Sequence, residues 1–146
     1  MSGGVILGEI PATCGHGEDY WRDRDCFVDA RGPLVVHPSS HFGYQVMLLT
    51  LSHDVSGGAF VPYSPCVERG VTVDEGAFIC SRASLYNCHV GAFAIVAFGA
   101  VVRSQYVPPR VIVAGNPAYV IAEWTEWADG SASWAWREPR YEGKRE

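Results

Sequence analysis

The chain has 146 residues, 48% of them hydrophobic and only 18% charged, with a formal net charge of −5. This length fits one domain with a core of its own, and the acidic balance gives no electrostatic reason to expect nucleic acid or an anionic membrane as partner. So sparse a charge implies that apolar surface is covered by a partner, most simply another copy of the chain.

Residues 1–27 are expected to be irregular. The stretch "MSGGVILGEIPATCGHGEDYWRDRD" has no basic n-region, and "VILGEI" is too short for an apolar h-region, so no signal peptide is read there. Within it "DYWRDRD" reads as a solvated turn with one aromatic anchor. No apolar run approaches the roughly 18 residues that span a bilayer. The five cysteines, Cys14, Cys26, Cys66, Cys80 and Cys88, form no C-x-x-C pair. They read as reduced thiols of a cytoplasmic protein, with Cys80 and Cys88 as small apolar core residues.

From Asp29 onward a six-residue period governs the chain. Val36, Phe42 and Leu48 are spaced by six, with Ser40, Val46 and Ser52 four residues after each. The segment 54–66, "DVSGGAFVPYSPC", interrupts the period with two glycines, two prolines, Phe60 and Tyr63, and reads as a projecting loop. Val67, Val73, Ile79 and Leu85 resume it. The frame then slips by one residue, and Val90, Val96 and Val102 continue it, with Ala77, Ala83, Ala94 and Ala100 in the small position. Neither a 3.6-residue nor a two-residue period describes this.

The pattern predicts an all-β solenoid over 28–117, in which each hexad is a short strand plus a turn. Three hexads close a triangular coil, so that residues roughly 18 apart stack. Each buried corner aliphatic contributes about 1.5–3 kcal/mol. After Arg103 the Pro108-Pro109 pair ends strand pairing, and Val111 to Ala114 adds a last short strand. "AYVIAEWTEWA", 118–128, is predicted as a short C-terminal helix ended by Asp129-Gly130. In the Trp-rich region that closes the chain, Trp124, Trp127, Trp134 and Trp136 are expected to cover the solenoid or a neighbouring subunit.

Three stretches carry a family resemblance. "VPPRVIVAGNPAYVI", 107–121, resembles the closing signature of the hexapeptide-repeat acyltransferases. "VGAFAIVAFGAVV" resembles their last coil, and "FGYQVMLLTLSHD" the coil that ends in their catalytic histidine. The type most similar is the sugar O-acetyltransferases of the colanic acid and galactoside acetyltransferase kind, over about Asp29 to Trp124. The resemblance implies a left-handed parallel β-helix of triangular section, a homotrimer with sites in clefts between subunits, and acetyl transfer from acetyl-CoA to a hydroxyl of a small acceptor, by default a sugar. It implies no metal.

Residue by residue, the resemblance implies His53, in "TLSHD", as the general base. A histidine suits that role because its pKa lies near neutrality. Ser81, Phe98 and Arg103 fall at positions that contact coenzyme A in similar enzymes, Phe98 through its main chain and Arg103 toward a phosphate. Asp29 falls near the acceptor. Asp54 reads as the start of a turn.

The chain also departs from the pattern. Tyr119 follows Asn116-Pro117-Ala118 where a basic residue is usual. The exit "VVRSQYVPP" is one residue longer, which leaves the register of Arg103 and Ser104 open, and the turn "YNCHV" is one residue short. Two other readings stand beside the transferase. One is a non-catalytic trimer acting as a structural or binding module. The other is a zinc site of the gamma carbonic anhydrase kind, in which His53 would join His37, His41 or His89, although neither that family's ligand spacing nor its closing motif is found.

Overall fold

The computed structural model describes residues 6–7, 15–56 and 66–137. Cys14, the middle of the projecting segment with Phe60 and Tyr63, and the tail beyond Arg137 lie outside the described residues.

The segment read as irregular contains a strand, β1 (Ile6–Leu7), and a six-residue helix, α1 (Glu18–Asp23). So short a helix is marginal alone. It is held because Trp21 is fully buried, with its ring 4.8 Å from that of Phe42. The chain then runs through β2 (Phe27–Asp29), β3 (Leu34–Val36), β4 (His41–Phe42), β5 (Met47–Leu49) and β6 (Leu51–His53). After the projecting segment come β7 (Cys66–Glu68), β8 (Val71–Val73), β9 (Phe78–Ile79), β10 (Ser84–Val90), β11 (Ile95–Val96) and β12 (Val101–Val107). The last strands are β13 (Val111–Gly115), β14 (Ala118–Glu126) and β15 (Ala132–Trp136). The described chain is thus nearly all β.

Three parallel ladders hold it together. In the first, β2, β5, the start of β10 and the start of β12 align Val28, Leu48, Leu85 and Val102. In the second, β3, β8 and the ends of β10 and β12 align Val36, Val73, Val90 and Val107. In the third, β4, β9, β11 and β13 align Phe42, Ile79, Val96 and Val113. From β8 onward the chain visits the ladders in rotation. All these aligned side chains are buried, as are Ala77, Ala83, Ala94 and Ala100, so the six-residue frame names the core.

The frame slip has a local cause. Asn87 and Ser104 divide β10 and β12 between two ladders, and each has a left-handed φ (46° and 50°). One such residue turns the corner where the other corners take longer turns, so partners such as Leu85 and Val102 stand 17 residues apart rather than 18. Asn tolerates that conformation better than most residues, and its Nδ2 donates to Ser104 Oγ at 3.1 Å. The short turn "YNCHV" and the exit "VVRSQYV" are therefore one corner repeated, and Arg103 pairs with Tyr86 without ambiguity.

Two expectations fail. First, the predicted C-terminal helix is a β-hairpin: β14 pairs antiparallel with β13 and with β15. The stretch "YVIAEWT" is rich in β-branched and aromatic residues, which suit a half-buried pleated surface, and 127–131 form the turn instead of a helix stop. Ala118 and Ala122 face inward, whereas Trp124, Trp127 and Trp136 remain 39–64% exposed in the single chain. They do not cover the core.

Second, Ser52 and Val67 are not ladder positions. They pair with each other in an antiparallel ribbon of β6 and β7. The chain leaves the ladders after Thr50 and rejoins them at Val71, so the projecting segment is longer than 54–66. Thr50, not Ser52, fills the tight interior position, and it is completely buried.

The outermost strands of the stack need partners of their own. At the C-terminal end the hairpin pairs the edge of β13. At the other, Tyr20 Oη donates to the Phe42 carbonyl (3.4 Å) and accepts from the Phe42 N–H (3.0 Å), which satisfies edge strand β4. Cys26, Cys80 and Cys88 are buried, and burial pushes the Cys88 thiol up to about 12, an inert core group. No helix among the described residues is long and apolar enough to cross a membrane.

Candidate functional site

Thr50 is the pivot of the site. Its hydroxyl donates to the Asp29 carbonyl at 2.6 Å and accepts the Gly32 N–H at 2.8 Å. Its own carbonyl accepts the Arg69 N–H at 2.6 Å. One buried side chain therefore pins the turn 29–32 to the base of the ribbon, and the Arg69 bond closes the ribbon behind it. His53 stands three residues out along β6, exposed, opposite the free thiol of Cys66. The next residue, Asp54, accepts the Ser56 N–H at 2.9 Å, a local turn of the kind expected. Bonds from Ser56, with a smaller pull from Arg69, hold its carboxyl below the ordinary value.

Asp29 is only 3% exposed. Its Oδ1 accepts from Arg31 Nε at 2.9 Å and from the Arg31 N–H at 3.2 Å, and its Oδ2 accepts from Arg31 Nη2 at 2.7 Å. The pair is bidentate, the strong geometry for guanidinium and carboxylate. These bonds hold the Asp29 carboxyl below its ordinary 3.8, against the opposing effect of burial. A lowered folded-state pKa contributes stability that is present above the unfolded value and lost as pH falls through the folded one. Asp29→Asn is accordingly expected to lower the thermal midpoint at pH 7 by about 2–8 °C. The difference from wild type should shrink as pH falls below 3.8. Equal midpoints at pH 7 would show that the pair contributes nothing to stability.

The first ladder carries the rest. Asp29, Leu49, Tyr86 and Arg103 are aligned partners across β2, β5, β10 and β12. Arg103 thus lies on the border of this ladder from which the ribbon departs. Ser81 and Phe98 lie at the opposite border, in the turns that lead into β10 and β12. Ser81 Oγ accepts the Tyr44 N–H at 3.0 Å, and its carbonyl accepts the Gly99 N–H at 3.1 Å. Any Cβ at Gly43 would stand 2.6 Å from the Ser81 backbone nitrogen, so glycine is required for that turn to stack. Phe98 is 80% exposed. The five residues proposed from sequence therefore flank one ladder face, His53, Asp29 and Arg103 on one side, Ser81 and Phe98 on the other, about 10 Å apart by strand rise.

Sequence reasoning missed Arg31, Thr50 and Arg69. The one available signal was the Asp-x-Arg spacing of Asp29 and Arg31, which suits a local bidentate pair.

The other histidines have separate uses. His37 Nδ1 lies 2.8 Å from Ser39 Oγ, His41 stacks near Phe78, and His89 Nε2 lies 2.7 Å from Asp74 Oδ2. Among the described residues no group of three His, Cys, Asp or Glu side chains is placed to hold a metal ion. Two cavities lie away from His53. One of about 330 Å³ is lined by Phe93, Arg110, Trp124 and Trp134. One of about 370 Å³ includes His37, Asp74 and Glu75.

No protein-family model matches the chain. No curated protein matches it in sequence. Solved structures do. A maltose O-acetyltransferase from Clostridium difficile 630 superposes with a TM-score of 0.60 at 18% identity, covering 66% of this chain and 51% of that one. A hexapeptide-repeat acetyltransferase from Vibrio cholerae O1 biovar eltor, complexed with acetyl coenzyme A, superposes with a TM-score of 0.52 at 22% identity, covering 61% and 48%. The chain spans about half the length of these structures. At such identities the likeness is one of fold, and the proteins that share this fold are hexapeptide-repeat acetyltransferases.

Proposed function

We propose that the chain is a left-handed β-helical acyltransferase that moves an acetyl group from acetyl-CoA to a hydroxyl of a small acceptor. The observation that carries this reading is the position of His53. It stands on a ribbon that leaves the ladders beside a buried, polar anchor, in a fold found in hexapeptide-repeat acetyltransferases.

In the reaction the acceptor hydroxyl oxygen attacks the thioester carbonyl carbon while the His53 imidazole takes its proton. The tetrahedral intermediate collapses, the carbon–sulfur bond breaks, and the imidazolium returns the proton to the departing sulfur. The products are an acetyl ester and free CoA thiol. Ser81 and the Phe98 backbone would line the donor on one border of the first ladder, and Arg103 would meet a phosphate. No acyl-enzyme is needed, so Cys66 is a bystander.

The acting form is a homotrimer. His53 is exposed in one chain, and a neighbouring copy would supply the wall opposite it. Apolar residues on the outer side of the first ladder, among them 39%-exposed Met47, favour such a contact. Sedimentation is expected to give three chains per particle, and a stable monomer would remove the intersubunit site.

The direct test is release of CoA thiol from acetyl-CoA across a panel of sugar acceptors, with CoA binding measured by calorimetry. Neither thiol release nor binding would leave the second reading, a structural or binding trimer. Tyr119, half exposed where a basic residue would hold the nucleotide phosphate, is the observation that favours that alternative.

A further inference from the structure

Asp29, which by resemblance falls near the acceptor, is not available to a ligand in the usual way. Its carboxylate is buried and both oxygens are engaged by Arg31. What it presents to solvent is the guanidinium it holds, whose side chain is about half exposed. Asp29 uses the Nε–Nη2 edge. Among the described residues the Nη1–Nη2 edge, a second pair of parallel N–H donors, is left over.

The turn that carries this arginine is fixed by Thr50, the residue from which the His53 ribbon starts. His53 stands three residue steps beyond Thr50, about 10 Å of chain. The guanidinium is held on Asp29, and Cys66, which faces His53 across the ribbon, adds a weaker charge attraction to it, so guanidinium and imidazole border one space open to a small acceptor.

We infer that Arg31, oriented by Asp29, is the acceptor-specificity residue of this site, and that it selects an acceptor bearing a carboxylate, of the uronic acid class, whose hydroxyl is acetylated at His53. This rests on the transferase reading above. A planar carboxylate matches the free guanidinium edge with two parallel bonds, whereas a neutral sugar gains nothing comparable from it. Asp29 is then a positioning residue, acting through Arg31.

The test uses full-length protein, acetyl-CoA and three acceptors: methyl glucoside, methyl glucuronide and methyl glucoside 6-phosphate. Ester formation gives kcat/KM for each, and calorimetry gives acceptor binding without turnover. Wild type is expected to prefer the glucuronide over both others by about tenfold or more. Arg31→Gln should lower the glucuronide-to-glucoside ratio by about tenfold to a hundredfold, through the acceptor KM and not through the KM for acetyl-CoA. Arg31→Lys should keep part of the preference, since it keeps the charge and loses the fork. Thermal midpoints verify that both variants are folded.

Equal use of neutral and acidic sugars, a preference for the phosphate, or an unchanged ratio in Arg31→Gln would overturn the inference while leaving acetyl transfer standing. Absence of thiol release with every acceptor would remove the transferase reading instead. In that case the calorimetric comparison of glucuronide with glucoside still decides the role of Arg31, and equal or absent binding of the two overturns it.

Discussion

Replacing His53 with alanine is expected to lower kcat/KM for acetyl transfer by about 10²–10⁴-fold, the contribution of a well-placed general base. The loss should fall on kcat, because the imidazole acts on the proton in flight and contributes little to holding either substrate. Binding of acetyl-CoA, read by calorimetry, should stay within a few-fold of wild type. The fold should survive as well: His53 is exposed on β6, and the Arg69–Thr50 bond fixes the base of the ribbon. Cys66→Ser, opposite His53, is expected to retain activity, since direct attack on the thioester needs no second nucleophile. Transfer by His53→Ala within threefold of wild type would assign the base elsewhere. The first group to examine would then be His89, already held by Asp74.

The core of this fold was legible because it is periodic. A buried side chain at Val73, Ile79, Leu85, Val90, Val96 and Val102 follows from aliphatic identity at a fixed step, and a period is visible in one sequence. The corners were less legible. Asn87 and Ser104 change the step through backbone φ, and the sequence shows only a turn one residue short and an exit one residue long. The ribbon was misjudged for a related reason. Ser52 and Val67 happen to fit the hexad frame, yet the chain departs at Thr50 because a threonine hydroxyl, and not a serine two residues later, satisfies the Asp29 carbonyl and the Gly32 N–H. Such a bond between positions 21 apart leaves no periodic trace.

The C-terminal hairpin failed on local grammar: "AYVIAEWTEWA" scans as a helix by spacing and as a strand by residue type, and the open backbone edge of β13 decided for the strand. At the candidate site the same division holds. His53 was proposed from its neighbours in sequence. The Asp29–Arg31 pair was not foreseen, because burial of a carboxylate cannot be read from one letter.

Trp21→Ala is expected to be the most damaging single truncation of the described core, at about 3–5 kcal/mol. Trp21 is the largest fully buried side chain, and it closes the open end of the ladders against Phe42 (ring centroids 4.8 Å) and Tyr20 (5.2 Å). A stack of parallel strands loses half its neighbours at its last coil, so the cap there does what the next coil does elsewhere. Removing the indole would open a cavity under β4. It would also release α1, which is too short to persist alone, and with it the Tyr20 hydroxyl that serves both polar groups of Phe42.

The expected reading is a fall of roughly 10–15 °C in thermal midpoint, with a lower urea midpoint. Trp21→Phe should cost much less than half of this. The indole Nε1 is buried without a hydrogen-bond acceptor among the described residues, and an unsatisfied buried donor costs about 1–3 kcal/mol. Phenylalanine removes that penalty while keeping most of the ring in place. If both variants lose equally, the indole nitrogen has a partner that matters. A loss below about 1 kcal/mol for Trp21→Ala would show that the end of the stack is closed by something other than the helix.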